Sequence, residues 1–113
     1  MRIAVIGSRD FNDYDQLKMV LNEHDNIELL VSGGAKGADS LGESWAKEKN
    51  VPTLIFKPEW DKYGRSAGFK RNQDIVNNSD LVIAFWDGQS RGTKSSIDLC
   101  KKLAVDVKII KYK

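Results

Sequence analysis

The chain has 113 residues, with 41% hydrophobic and 30% charged side chains, a globular balance that fits one domain over 1–113 and leaves no room for a second core. A net charge of +2 is too small to argue a nucleic-acid partner by itself. One cysteine, Cys100, and one histidine, His24, exclude a disulfide framework, a cysteine-rich zinc site and a multi-histidine centre within the chain, so no metal and no other cofactor is expected and the location is read as cytoplasmic.

Arg2–Ile6 reads as a buried strand. It is basic then apolar, but too short for a signal peptide, and it breaks at Gly7-Ser8-Arg9. Asp13-Tyr14-Asp15-Gln16 resembles a capping box, and Leu17, Val20, Leu21 and His24 follow at helical spacing. Ile27–Val31 predicts a second strand. Ala38, Leu41, Trp45 and Ala46 predict a second helix, ended by Asn50 and Pro52. Thr53–Phe56 predicts a third strand, followed by a long connection from Pro58 to Gly68. Phe69, Ile75 and Val76 predict a third helix with a thinner apolar stripe. Leu81–Phe85 is the fourth strand; Ile97, Cys100, Leu103 and Ala104 mark the fourth helix. Val107–Ile110 is a weaker fifth strand, and Lys108, Lys111 and Lys113 fit an edge protected by charge. The strands are short, nearly continuous apolar runs, as in a parallel sheet covered on both faces. No apolar stretch approaches the roughly 20 residues of a membrane span. The alternation predicts a single three-layer α/β/α sandwich with a mainly parallel sheet of about five strands, in the Rossmann-like manner.

The connections differ by direction. Helix-to-strand links are short and plain. Strand-to-helix links hold Gly7-Ser8-Arg9-Asp10-Phe11, Ser32-Gly33-Gly34-Ala35-Lys36-Gly37-Ala38-Asp39, the segment with Trp60, Gly64 and Arg65, and Trp86-Asp87-Gly88-Gln89-Ser90-Arg91-Gly92-Thr93. In a parallel sheet these lie together beyond the carboxyl ends of the strands, where such folds bind ligands. Glycine turns let backbone N–H groups approach an anion, and helix N-termini add positive potential. Each feature alone has a plain structural role open to it: a tight turn for Gly33-Gly34, a helix cap for Thr93, core packing for Trp45 and Cys100. Their clustering at one edge points to an anion or phosphate site. The Walker and dinucleotide patterns do not fit: Gly37 is followed by Ala38-Asp39, and the first turn lacks the Gly-x-Gly-x-x-Gly run.

At these loops the sequence resembles the SLOG superfamily, and within it the YspA, cpYpsA-related SLOG family. The resemblance rests on Gly7-Ser8-Arg9-x-Phe11, Ser32-Gly33-Gly34-Ala35-x-Gly37-Ala38-Asp39, Pro58-x-Trp60, Ala67-Gly68-x-x-Arg71-Asn72 and Phe85-Trp86-Asp87-Gly88-x-Ser90-x-Gly92-Thr93. It implies a Rossmann-like fold that binds a nucleotide or nucleotide-derived ligand, bacterial or phage-encoded, with a homodimer or larger homo-oligomer expected. On that reading the phosphates lie on Gly33–Gly37 and Gly88–Thr93. Arg9 and Arg71 contact phosphate or carboxyl groups, with Asn72 beside them. Ser8, Ser32, Ser90 and Thr93 supply hydroxyls, Trp60 or Trp86 stacks on a base, and Asp39 accepts a ribose hydroxyl. Gly7, Gly34, Ala35, Gly88 and Gly92 complete the loops.

A second reading is an N-glycosidic hydrolase of a nucleoside phosphate, as in the phosphoribohydrolase relatives, with Asp39 or Asp87 as the carboxylate. The sequence departs from that pattern, because no carboxylate follows Thr93 until Asp98. A nucleic-acid-binding module, by analogy with the DNA-processing relative, ranks last. Arg71 opposes the dipole at the start of its helix, so Arg71→Ala is expected to spare ligand-free stability, unless Arg71 locks the loops through Asp39 or Asp74.

Overall fold

The computed structural model describes residues 1–113. Five strands form one all-parallel sheet: β1 (Arg2–Gly7), β2 (Leu29–Ser32), β3 (Thr53–Ile55), β4 (Leu81–Trp86) and β5 (Asp106–Lys111). Their order is β3-β2-β1-β4-β5. Between them run α1 (Tyr14–Asn22), α2 (Ala38–Glu48), the single-turn α3 (Trp60–Tyr63), α4 (Ala67–Asn77) and α5 (Arg91–Lys102). The fold is the Rossmann-like α/β arrangement the alternating runs predict. No helix is long and apolar enough to cross a membrane.

Side chains alternate across the two central strands and so build two cores. Ile3 and Val5 of β1, with Ile83 and Phe85 of β4, pack beneath Leu17, Leu21, Ala38, Trp45 and Ala46 of α1 and α2. Ala4 and Ile6, with Val82 and Ala84, pack beneath Ile75, Val76, Ile97 and Cys100 of α4 and α5. Both faces of β1 and β4 are therefore dry, which explains their unbroken apolar runs. The Trp45 indole N–H donates to Asn22 Oδ1 (3.2 Å) and ties α2 to α1.

Several boundaries shift from the sequence expectation. α1 stops at Asn22, because Asn22, Asp25 and Asn26 are poor helix formers and the apolar stripe ends with Leu21. His24 thus lies past the helix, and its Nε2 is buried without a hydrogen-bond partner. β2 starts at Leu29 rather than Ile27. Leu103 and Ala104 lie beyond α5, where Ala104 takes φ +58°. The connection after β3 contains α3 and a 3₁₀ turn at Gly64–Ser66. Phe69, expected on an apolar stripe, is 48% exposed. β5 is an edge strand, with Lys108 paired to Glu23 (2.9 Å).

Candidate functional site

The chain runs outward from β1 to β2 and β3 on one side, and to β4 and β5 on the other. β1 and β4 are therefore the point where the winding reverses, and a crevice opens beyond their carboxyl ends. A cleft of about 490 Å³ occupies that position, within the usual range for small-ligand sites. Four segments distant in sequence wall it: Ile6–Asp10 at the end of β1, Ala35 and Asp39 around the start of α2, Arg71, Asn72 and Ile75 on α4, and Asp87, Ser90, Gly92, Thr93 and Ser96 around the start of α5.

Of the residues named from the sequence, Gly7, Ser8, Arg9, Ala35, Asp39, Arg71, Asn72, Asp87, Ser90, Gly92 and Thr93 line the cleft. Ser32, Gly33, Gly34, Gly37, Trp60, Trp86 and Gly88 do not. The Trp86 indole N–H donates to the Ser90 carbonyl (3.1 Å), and its ring packs against the α4–α5 core. Trp60 is 59% exposed, over Gly68 on α4. Ser32 donates to Glu43 Oε2 (2.7 Å) and accepts from the Gly34 N–H (3.2 Å), so its hydroxyl serves the loop. Ser96 also lines the cleft, outside the loop motifs; its place three residues beyond Thr93, one turn along the same helix face, is the signal that locates it.

Asp39 organises the β2–α2 loop. Its Oδ2 accepts from the N–H groups of Gly33 (2.9 Å) and Ala35 (3.4 Å). Burial pushes this carboxyl up to about 6, against the opposing pull of the Ala35 amide, the Arg71 charge and the Gly33 amide. Asp87 goes the other way. The N–H groups of Ser90 (2.7 Å) and Gln89 (2.8 Å) both donate to its Oδ1 and hold it below the usual carboxylate value. Asp10 is held low by Lys113 and Tyr112, which bond its two oxygens.

Arg71 Nη1 donates to the Gly33 carbonyl (2.7 Å) and Nε to Asn72 Oδ1 (3.0 Å). Burial lowers its pKa, the Asp39 charge raises it, and the nearby Arg9 lowers it further. No carboxylate lies within ion-pairing distance of either arginine. The guanidinium thus clips α4 to the β2–α2 loop through a carbonyl rather than through Asp39 or Asp74, a contact that Arg71→Ala would remove from the ligand-free protein. Its loss should cost about 1.5–3 kcal/mol, the range for a hydrogen bond to a charged group. Urea unfolding of the ligand-free variant measures this; an unchanged midpoint would show that the clip carries no load.

The first turn of α5 is electropositive. Ser90 at its N-cap makes no side-chain cap to a backbone N–H, and its Oγ lies 3.3 Å from Thr93 Oγ1 instead. That turn contains no acidic residue, while Arg91 and Lys94 stand in it. The first-turn N–H groups of α5 and its dipole thus lie at the cleft wall that Gly92 and Thr93 form, with the Asp87 carboxylate at the N-cap as the one negative charge beside them. Asp98, the first carboxylate after Thr93, pairs with Lys94 (3.0 Å) and does not line the cleft.

The chain is 30% identical to the "Gene 61 protein" of Mycobacterium phage D29, over 94% of this chain and 93% of that protein. No solved structure matches it significantly. The pattern of one family matches residues 1–63, which carry β1 to α3 and the first two cleft loops. Arg71 and the α5 turn lie outside the matched stretch; the match over more than half of the chain shows that it belongs to the YspA, cpYpsA-related SLOG family.

Proposed function

We propose that the cleft binds a nucleotide or nucleotide-derived ligand, with phosphate seated at the start of α5 between Arg9 and Arg71. One observation carries this reading most: Arg9 and Arg71 repel each other, neither is ion-paired with a carboxylate, and both line the cleft beside a helix start whose N-cap side chain makes no cap. An anion there relieves the repulsion and takes charge-assisted bonds. Mass spectrometry of small molecules retained through native purification identifies the ligand; titration calorimetry with nucleoside phosphates and inorganic phosphate tests the class. Failure of every phosphate compound to bind would reject the reading.

Gly92 offers a sharper check. A Cβ built there meets nothing within 4 Å, so internal packing does not demand glycine, yet the residue lines the cleft. Close approach of a ligand supplies the demand. Gly92→Ala should keep or raise stability by up to about 1 kcal/mol, since alanine favours the helix. Nucleotide affinity should fall about tenfold or more, as expected for a methyl forced into a filled site. Paired melting and calorimetry separate the two effects, and unchanged affinity would remove the α5 start from the site.

A second reading, N-glycosidic hydrolysis, is favoured by the two carboxylates pushed in opposite directions at one cleft, Asp39 up and Asp87 down. Ser96 stands where the helix face would have to carry a further acid, and Asp98 is paired away from it. Chromatographic assay of base release from nucleoside monophosphates decides this reading.

A further inference from the structure

We infer that the cleft reads the sugar and phosphate of its ligand and leaves the base unread, which makes it a phosphosugar site. The inference rests on the nucleotide-binding reading above and names what that site discriminates.

The argument begins with two carboxylates in a cleft that otherwise suits an anion. Asp39 and Asp87 both line it. Each commits one oxygen to a pair of backbone N–H groups: Asp39 Oδ2 to Gly33 and Ala35, Asp87 Oδ1 to Gln89 and Ser90. No protein group donates to the second oxygen of Asp39, while the Ser8 hydroxyl stands beside the Asp87 carboxylate and can turn to a ligand. A free carboxylate oxygen repels phosphate, so it needs a neutral donor beside it. Sugar hydroxyls are such donors, and an O–H to carboxylate bond is among the stronger ones available. A phosphate on the α5 start with a hydroxyl-bearing ring against Asp39 and Asp87 satisfies both charges at once.

The remaining lining provides no aromatic platform for a base, and the Arg71 guanidinium is tied to the Gly33 carbonyl and Asn72. The only hydrophobic members of the lining are Ile6, Ala35 and Ile75, none of which offers a ring face. Trp86 is held by the Ser90 carbonyl and packed into the core, and Trp60 stands outside over Gly68. Loss of a stacked base costs about 1–3 kcal/mol, or at least about fivefold in affinity, where an aromatic platform exists. Here removal of the base should cost less than that.

Calorimetry on the full chain in EDTA tests this with AMP, GMP, CMP, UMP, methyl β-ribofuranoside 5-phosphate, and the 2′-deoxy and 3′-deoxy forms of AMP. The four nucleotides and the methyl ribofuranoside phosphate should agree within about fivefold. At least one deoxy form should bind about tenfold more weakly, and Asp39→Asn or Asp87→Asn should narrow that gap while circular dichroism shows the variant folded. Strong preference for one base, loss of affinity without the base, indifference to both hydroxyls, or binding only when Mg²⁺ is added would each overturn the inference and leave nucleotide binding standing. If no nucleotide and no sugar phosphate binds, the functional reading falls and this inference with it.

Discussion

Gly37→Ala should destabilise the ligand-free protein by about 3–5 kcal/mol, the sum of a backbone term and a steric term. Gly37 precedes α2 with φ +81° and ψ −128°, a conformation that side chains with a Cβ avoid. A Cβ there would lie 2.4 Å from the Ser8 carbonyl oxygen and 2.7 Å from that of Arg9. Both obstacles are backbone atoms of the β1–α1 loop, so no side-chain rotation relieves them. The loop must move instead, and Phe11 anchors it by stacking on Phe85 (ring centroids 4.6 Å apart). For a chain of this size the melting temperature should fall by roughly 12–20 °C. Thermal and urea unfolding followed by circular dichroism measure it. A loss below about 1 kcal/mol would mean that the two loops part freely, and the cleft wall between Arg9 and Ala35 would then not be a rigid one.

The second large effect is a pH dependence. Asp39 is 5% exposed, and its carboxyl is raised from the usual value near 3.8 to about 6, chiefly by burial. Between these values the unfolded chain carries the ionised group and the folded chain the protonated one. The unfolded state then binds fewer protons, so this group's contribution to stability falls as pH rises from about 4 to about 6, and is constant above. Two units correspond to about 3 kcal/mol. Asp39→Asn keeps an acceptor for the Gly33 N–H and removes the titration. The stability of the variant relative to wild type should therefore rise by about 3 kcal/mol between pH 4 and pH 7. Asp10, Glu48, Asp80 and Asp87 have lowered values, and their contributions are lost with opposite sign as pH falls. They are common to both proteins and cancel in the difference. A difference that stays flat or falls over this range would mean that the Arg71 charge keeps Asp39 ionised in the folded state.

The layers and the edge that carries the cleft are legible in the sequence, because both follow from local rules. The short apolar runs within Arg2–Ile6 and Leu81–Phe85 read as strands covered on both faces because glycine-bearing turns follow each, and the structure extends each by one residue. Less legible are the features that depend on contacts between distant segments. Ser32 looks like a ligand hydroxyl until the fold places Glu43 beside it. Arg71 looks like a free cation, but it meets a carbonyl 38 residues away. Trp86 looks like a stacking platform, but the turn that follows bends the Ser90 carbonyl onto its indole nitrogen. Periodicity encodes which face is apolar; it does not encode which polar partner a loop side chain will find.

The strand order also has a consequence in time. β1 is made first, and its pairing with β2 can form early, but its other edge belongs to β4, which begins at Leu81. At about 5–20 residues per second, ribosomal synthesis takes roughly 4–16 s to cover that interval. Throughout it, one of the two most apolar strands in the chain presents an unpaired row of N–H and C=O groups. Arg71 and Gly92, which wall the cleft, arrive at about the same stage, so a ligand cannot shelter the nascent chain during the wait. It can stabilise only the finished molecule, by mass action on the folded state.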